Sequence, residues 1–142
     1  MEELFTAQQG KGAYLNYKKI IVSQHNTDMP AIVFNRTLAA HDPETASCLW
    51  IKLDKIGKVY RNTNSFAVNY CHVACGRYDG VVTMSKDTFP EFAGSLILRE
   101  AGGIFTNVNK QENIKHYERV FIGGNKETYD KLLQIVIETV GN

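Results

Sequence analysis

The chain has 142 residues, 44% apolar and 22% charged, enough to bury a core as one globular domain. Its net charge of +1 gives no electrostatic footprint for nucleic acid or an anionic membrane, and no run of about 18 apolar residues offers a membrane span. The acidic start Met1-Glu2-Glu3-Leu4 lacks the basic and apolar regions of a signal peptide and points to the cytoplasm, while three cysteines in no framework spacing argue against disulfides.

In chain order, Leu4 to Gln8 and Ala13 to Leu15 flank Gly10-Lys11-Gly12, a hairpin signal because glycine takes positive φ without steric cost. Lys18 to Val22 reads as a third extended run. The alternative for Gly10-Lys11-Gly12, a phosphate-gripping loop, lacks the following helix that would align its N–H groups. Polar residues Gln24 to Pro30 mark a boundary, giving a strand unit at 1–24 and an α/β body at 25–142. Ala31 to Phe34 is a short buried strand. Asp42 as N-cap with Pro43 behind it starts a helix carrying Leu49, Leu53 and Ile56 at helical spacing, closed by Gly57. Trp50 reads as a core anchor. Val59 to Arg61 is the next strand, and Ser65 caps a helix from Phe66 to Gly76.

Val81 to Met84 continues the alternation, followed by Thr88-x-x-Glu91, a capping-box pattern with Pro90 in the first turn. That helix carries Phe92, Leu96 and Ile97 and ends at Gly102-Gly103. Strands at Ile104 to Thr106 and Val120 to Ile122 precede a last helix with a stripe of Tyr129, Leu132, Leu133, Val136 and Val140. The alternation implies an α/β fold: a mixed, largely parallel sheet with helices on both faces, plus an N-terminal β-hairpin. Cys71 and Cys75 stand four apart on one helical face and read as small buried side chains rather than a metal pair. His25, His41, His72 and His116 form no ligand spacing.

Arg61, Ser65, Ala67, the run Val73-Ala74-x-Gly76-Arg77-x-Asp79-Gly80, Ala93-Gly94 and Glu100-Ala101-Gly102-Gly103 fall in register, without a gap, with one family pattern. The block Glu3 to Asn16 matches a second. On these residues the chain resembles the C-terminal half of the inositol monophosphatase family, Mg²⁺-dependent, Li⁺-sensitive sugar phosphatases that include the bacterial extragenic-suppressor proteins. The resemblance implies half of an α-β-α-β-α sandwich. It also implies a chemistry in which carboxylate-held Mg²⁺ activates water and stabilises the leaving oxygen of a phosphate monoester.

The departures concentrate at the positions that carry this chemistry. The family's Trp-Asp pair is Phe89-Pro90 here, and proline has no side-chain oxygen for Mg²⁺. Its G-S-A-A becomes Asn64, Ser65, Phe66 and Ala67, placing a benzyl group in substrate space. The Glu that many members use to hold a ring hydroxyl becomes Thr83. Asp87, helped by Asp79 or Glu91, is the weak substitute carboxylate. The Gly-x-Glu-Glu and Asp-Pro-Ile-Asp-Gly-Thr stretches of the family's N-terminal half do not occur. Hence the expectation is a family member without catalytic residues, a metal site or cofactor of its own, and without independent phosphatase activity. The alternatives are one half of a split Mg²⁺-dependent phosphatase, active with a separately encoded N-terminal half, or an interaction scaffold whose unpaired strand edge docks a partner or a second copy as a homodimer.

Overall fold

The computed structural model describes residues 2–24, 27–36, 43–61, 65–85, 89–113, 115 and 119–140. The strands are β1 (Phe5–Gln8), β2 (Gly12–Leu15), β3 (Lys18–Ile20), β4 (Ala31–Arg36), β5 (Lys58–Arg61), β6 (Gly80–Met84), β7 (Ile104–Asn107) and β8 (Val120–Gly124). The helices are α1 (Pro43–Ile56), α2 (Phe66–Ala74), α3 (Phe89–Glu100) and α4 (Lys126–Val140). Each expected element is present. β4 runs two residues beyond the expected Phe34, and α2 ends at Ala74, with Gly76 at φ +87° beyond it. Asp42 and Thr88, expected as caps, lie outside the described residues.

β1, β2 and β3 form an antiparallel sheet, and the other strands a mixed sheet in the order β5-β4-β6-β8-β7. β4 pairs in parallel with β5 and β6, whereas β8 runs antiparallel to β6 and β7. Four strands therefore point one way and β8 alone returns: among the described residues no helix intervenes between β7 and β8 to carry the chain back across the sheet.

Alternation along the strands divides the core. Ile32, Phe34, Val82 and Ile122 pack on Leu49 and Leu53 of α1 and Leu132 and Val136 of α4. Val33, Val81, Phe105 and Phe121 point the other way, against Tyr70, Val73 and Leu98 of α2 and α3. Ala13 and Val22 join this second cluster, so the N-terminal sheet shares the core of the α2 and α3 face.

Two carboxylates fasten that sheet. Glu100, at the end of α3, accepts from the Gly10 N–H at 3.0 Å and the Gly12 N–H at 2.8 Å. The glycine loop does cradle an anion, and the anion is a side chain of the same protein. Both glycines hold positive φ, +78° and +85°, which turns their N–H groups to one side. Glu3 pairs with Arg77 through both carboxylate oxygens.

The N–H donors of Gly10 and Gly12 hold the Glu100 carboxyl below its ordinary value of 4.5, and a hydrogen bond from Arg77 does the same for Glu3. A lowered folded-state pKa adds stability above the unfolded value that is lost as pH falls through the folded one. Urea midpoints should therefore drop between neutral pH and about pH 3, and the drop should be smaller in Glu100→Gln. A second expectation concerns α2 and α3, which touch where Gly94 meets the Tyr70 ring; a Cβ at Gly94 would collide with three ring atoms. Gly94→Ala should lower unfolding free energy by about 1–3 kcal/mol, measured by urea denaturation.

Candidate functional site

The parallel strands β4, β5 and β6 end at one edge, and α2 and α3 begin there, as β-α connections require. Ser65 is the N-cap of α2, with extended backbone (φ −67°, ψ 151°) and a hydroxyl that accepts from the Val68 N–H at 3.2 Å. Phe66 follows, half-buried, its ring packed on the Tyr70 and Val73 cluster. Pro90 occupies the first turn of α3, where its missing N–H costs no helical bond. Asn64 and Asp87 lie outside the described residues.

Thr83 is fully buried on β6. Its hydroxyl shares a 2.7 Å hydrogen bond with the Tyr70 hydroxyl and accepts a longer one, 3.4 Å, from the Asn35 amide. The Asn35 carbonyl in turn accepts from the Asn69 amide at 2.8 Å. Glu91, read from sequence as a capping acid, is instead fully buried against this group. Burial first, then the Glu91 carboxylate, pushes the Tyr70 hydroxyl well above its ordinary range, so it stays protonated. Beneath the two helix N-termini the substrate-side position Thr83 thus belongs to a closed polar network linking β4, β6, α2 and α3.

The sequence reading missed Asn35, Asn69 and Tyr70 as members of this network. One signal was present: continuing the alternation past Phe34 puts Asn35 on the face of Val33, beside Thr83 in the parallel register.

Asp79 is committed elsewhere. Its Oδ1 accepts from the Ser23 hydroxyl at 2.6 Å and its Oδ2 from the Ala31 N–H at 2.8 Å. It precedes β6, so at roughly 3.3 Å per residue it stands about 16 Å from the Met84 end, and it cannot share a cation with a ligand near Pro90. Asn125 caps α4 by accepting from the Thr128 N–H at 2.8 Å while its amide donates to Ser23 Oγ at 2.7 Å.

At the far end of α2, Cys71 and Cys75 are free thiols. Burial, with Cys75 nearby, pushes the Cys71 thiol up to about 11, so the free thiol stays protonated at neutral pH. His72 lies between Phe5 and Tyr78, its pKa lowered by burial and by Arg77. His25, His41 and His116 lie outside the described residues.

No group of three or more His, Cys, Asp or Glu side chains among the described residues could hold a metal ion. Pro90 brings no oxygen, Asp79 is saturated and distant, and Glu91 is enclosed beneath Tyr70. These donors do not fit a Mg²⁺ site.

A mixed sheet layered between helix pairs, with helix N-termini gathered at the carboxyl edge of its parallel strands, defines an α/β protein of the layered sandwich class. The profile of the inositol monophosphatase family matches residues 1–140, and the chain belongs to that family. It is 30% identical over 136 residues to a fructose-1,6-bisphosphatase/inositol-1-monophosphatase of Aquifex aeolicus, covering 94% of this chain and 50% of that protein. It is 33% identical over 104 residues to the Nus factor SuhB of Xylella fastidiosa, covering 71% and 38%. The crystal structure of the extragenic suppressor protein suhB from Bartonella henselae superposes with a TM-score of 0.84 at 28% identity, over 94% of this chain and 52% of that one. The chain spans about half the length of the relatives it matches.

The Asp79 contacts generate a direct expectation. Asp79→Asn keeps the side chain's shape but turns an N–H₂ toward either the Ser23 hydroxyl or the Ala31 N–H. Unfolding free energy in urea should fall by about 1–3 kcal/mol.

Proposed function

We propose that this polypeptide by itself is a non-hydrolytic member of the inositol monophosphatase family, with the fold retained and the metal-dependent phosphatase chemistry lost. The observation that carries the reading is Pro90 in the first turn of α3. The family pattern calls for an aspartate metal ligand there, and proline satisfies the helix while supplying no oxygen. Thr83 supports it, because its hydroxyl is bound to Tyr70 inside the core and unavailable to a substrate hydroxyl. Phe66 replaces a methyl group with a ring at the substrate-side helix start. On this reading the chain requires no Mg²⁺ of its own.

A second reading has one observation in its favour. Among the described residues, β1 and β3 each pair with only β2, which leaves a backbone edge on either side of the N-terminal sheet. A separately encoded N-terminal half could extend that sheet by strand addition and bring the family's remaining carboxylates, making a split phosphatase.

Both readings meet in one assay: Mg²⁺-dependent phosphate release from inositol monophosphate by the purified chain, by Pro90→Asp, and by each mixed with the N-terminal half of the Aquifex aeolicus relative. The expected result is no release by the chain, alone or mixed. Release by the unaltered chain alone that chelator abolishes contradicts the first reading. Release only on mixing establishes the second. Release only from the Pro90→Asp mixture assigns the loss to residue 90.

A further inference from the structure

On the face of the mixed sheet opposite Thr83 and Tyr70, a cleft of about 390 Å³ opens between α1 and the carboxyl ends of β4 and β5. Its floor follows from register. Phe34 and Arg36 are two residues apart on β4 and project to the same side, and the parallel pairing sets Arg61 of β5 beside Phe34. Two guanidinium groups therefore sit as diagonal neighbours at the rim. The opposite wall is the first half of α1, where Ser47, Trp50 and Ile51 face the cleft. Trp50 stacks on Phe34 with ring centroids 6.0 Å apart at 26°, and the Arg61 guanidinium carbon lies 5.7 Å from the indole centroid.

Among the described residues no ion pair engages Arg36 or Arg61. Both arginines line the cleft beside the first half of α1, whose first turn carries Glu44, and among the described lining residues no carboxylate stands with them, which makes an electropositive rim over an apolar floor. Guanidinium forks match phosphate oxygens bidentately, and the volume falls within the range of small-molecule sites. We propose that this cleft binds a small organic monophosphate with a planar, largely apolar body. Its phosphate lies between Arg36 and Arg61 and its body against Trp50 and Ile51. The site needs neither metal nor ester hydrolysis, so it stands or falls independently of the silent-phosphatase reading.

Trp50 is the single tryptophan of the chain, so its emission reports the cleft directly. The full chain is titrated with phenylphosphonate, which cannot be hydrolysed as an ester, with phenol and inorganic phosphate as separate half-ligands at matched ionic strength. The expected result is a saturable change with Kd at or below about 1 mM, tighter than for either half. Arg36→Gln and Arg61→Gln should each weaken binding about tenfold, and Arg36→Lys, which keeps the charge but loses the fork, should fall between them and the unaltered chain. Lys131→Gln on α4 should change nothing. No saturable change up to about 10 mM overturns the proposal, as does an affinity in both glutamine variants unchanged from that of the unaltered chain, or phenol binding as tightly as phenylphosphonate.

Discussion

Much of the molecule is gathered at one buried carboxylate. Asp79 is 4% exposed and accepts from the Ser23 hydroxyl and the Ala31 N–H, while its backbone N–H donates to the Ala31 carbonyl and its carbonyl accepts from Asn125. One residue thus aligns the starts of β4 and β6, anchors the segment that leaves β3, and holds the N-cap of α4. A buried carboxylate is tolerated only when its oxygens are engaged, and here both are. Withdrawing it would leave an unmatched N–H and hydroxyl at the meeting point of both core clusters. Glu100 repeats the device at the glycine turn, and the Arg77 to Glu3 pair adds a more exposed clasp that contributes less.

These three fasteners explain how the family fold is held whether or not its metal chemistry is kept. Arg77, Asp79 and Glu100, at which the chain keeps the family pattern, act within this protein on folding. Pro90, Phe66 and Thr83, at which it departs, lie at helix starts or in the network beneath them, where the α/β layers tolerate other side chains. Pro90 is compatible with a first helical turn, Phe66 adds apolar area to an existing cluster, and Thr83 closes a hydrogen-bond chain with Tyr70 and Asn35. Metal chemistry needs several oxygens at one point, whereas the fold needs only that each position be filled compatibly.

Elements were legible in the sequence because their signals are local: the Gly10-Lys11-Gly12 turn, Pro43 at the start of α1, Ser65 capping α2, and the stripe on α4. Partners remote in sequence were not. Nothing near Glu100 announces that it binds amides 88 and 90 residues earlier, and nothing near Asp79 announces Ser23. Glu91 misled for the same reason, since its position at a helix start looks like a solvent-exposed cap until Tyr70 folds over it. Trp50 was legible as a core anchor through its stacking on Phe34, but the two arginines beside it come together only through the parallel register of β4 and β5.

On the proposed reading, Arg77, Asp79 and Glu100 hold the fold of this polypeptide while it has no metal site of its own. Calorimetric titration of Mg²⁺ into the purified chain, with unfolding midpoints recorded in Mg²⁺ and in chelator, tests it most directly. No saturable binding below about 10 mM and identical midpoints are expected. A submillimolar Mg²⁺ site, or a midpoint that falls on chelation, would contradict that reading.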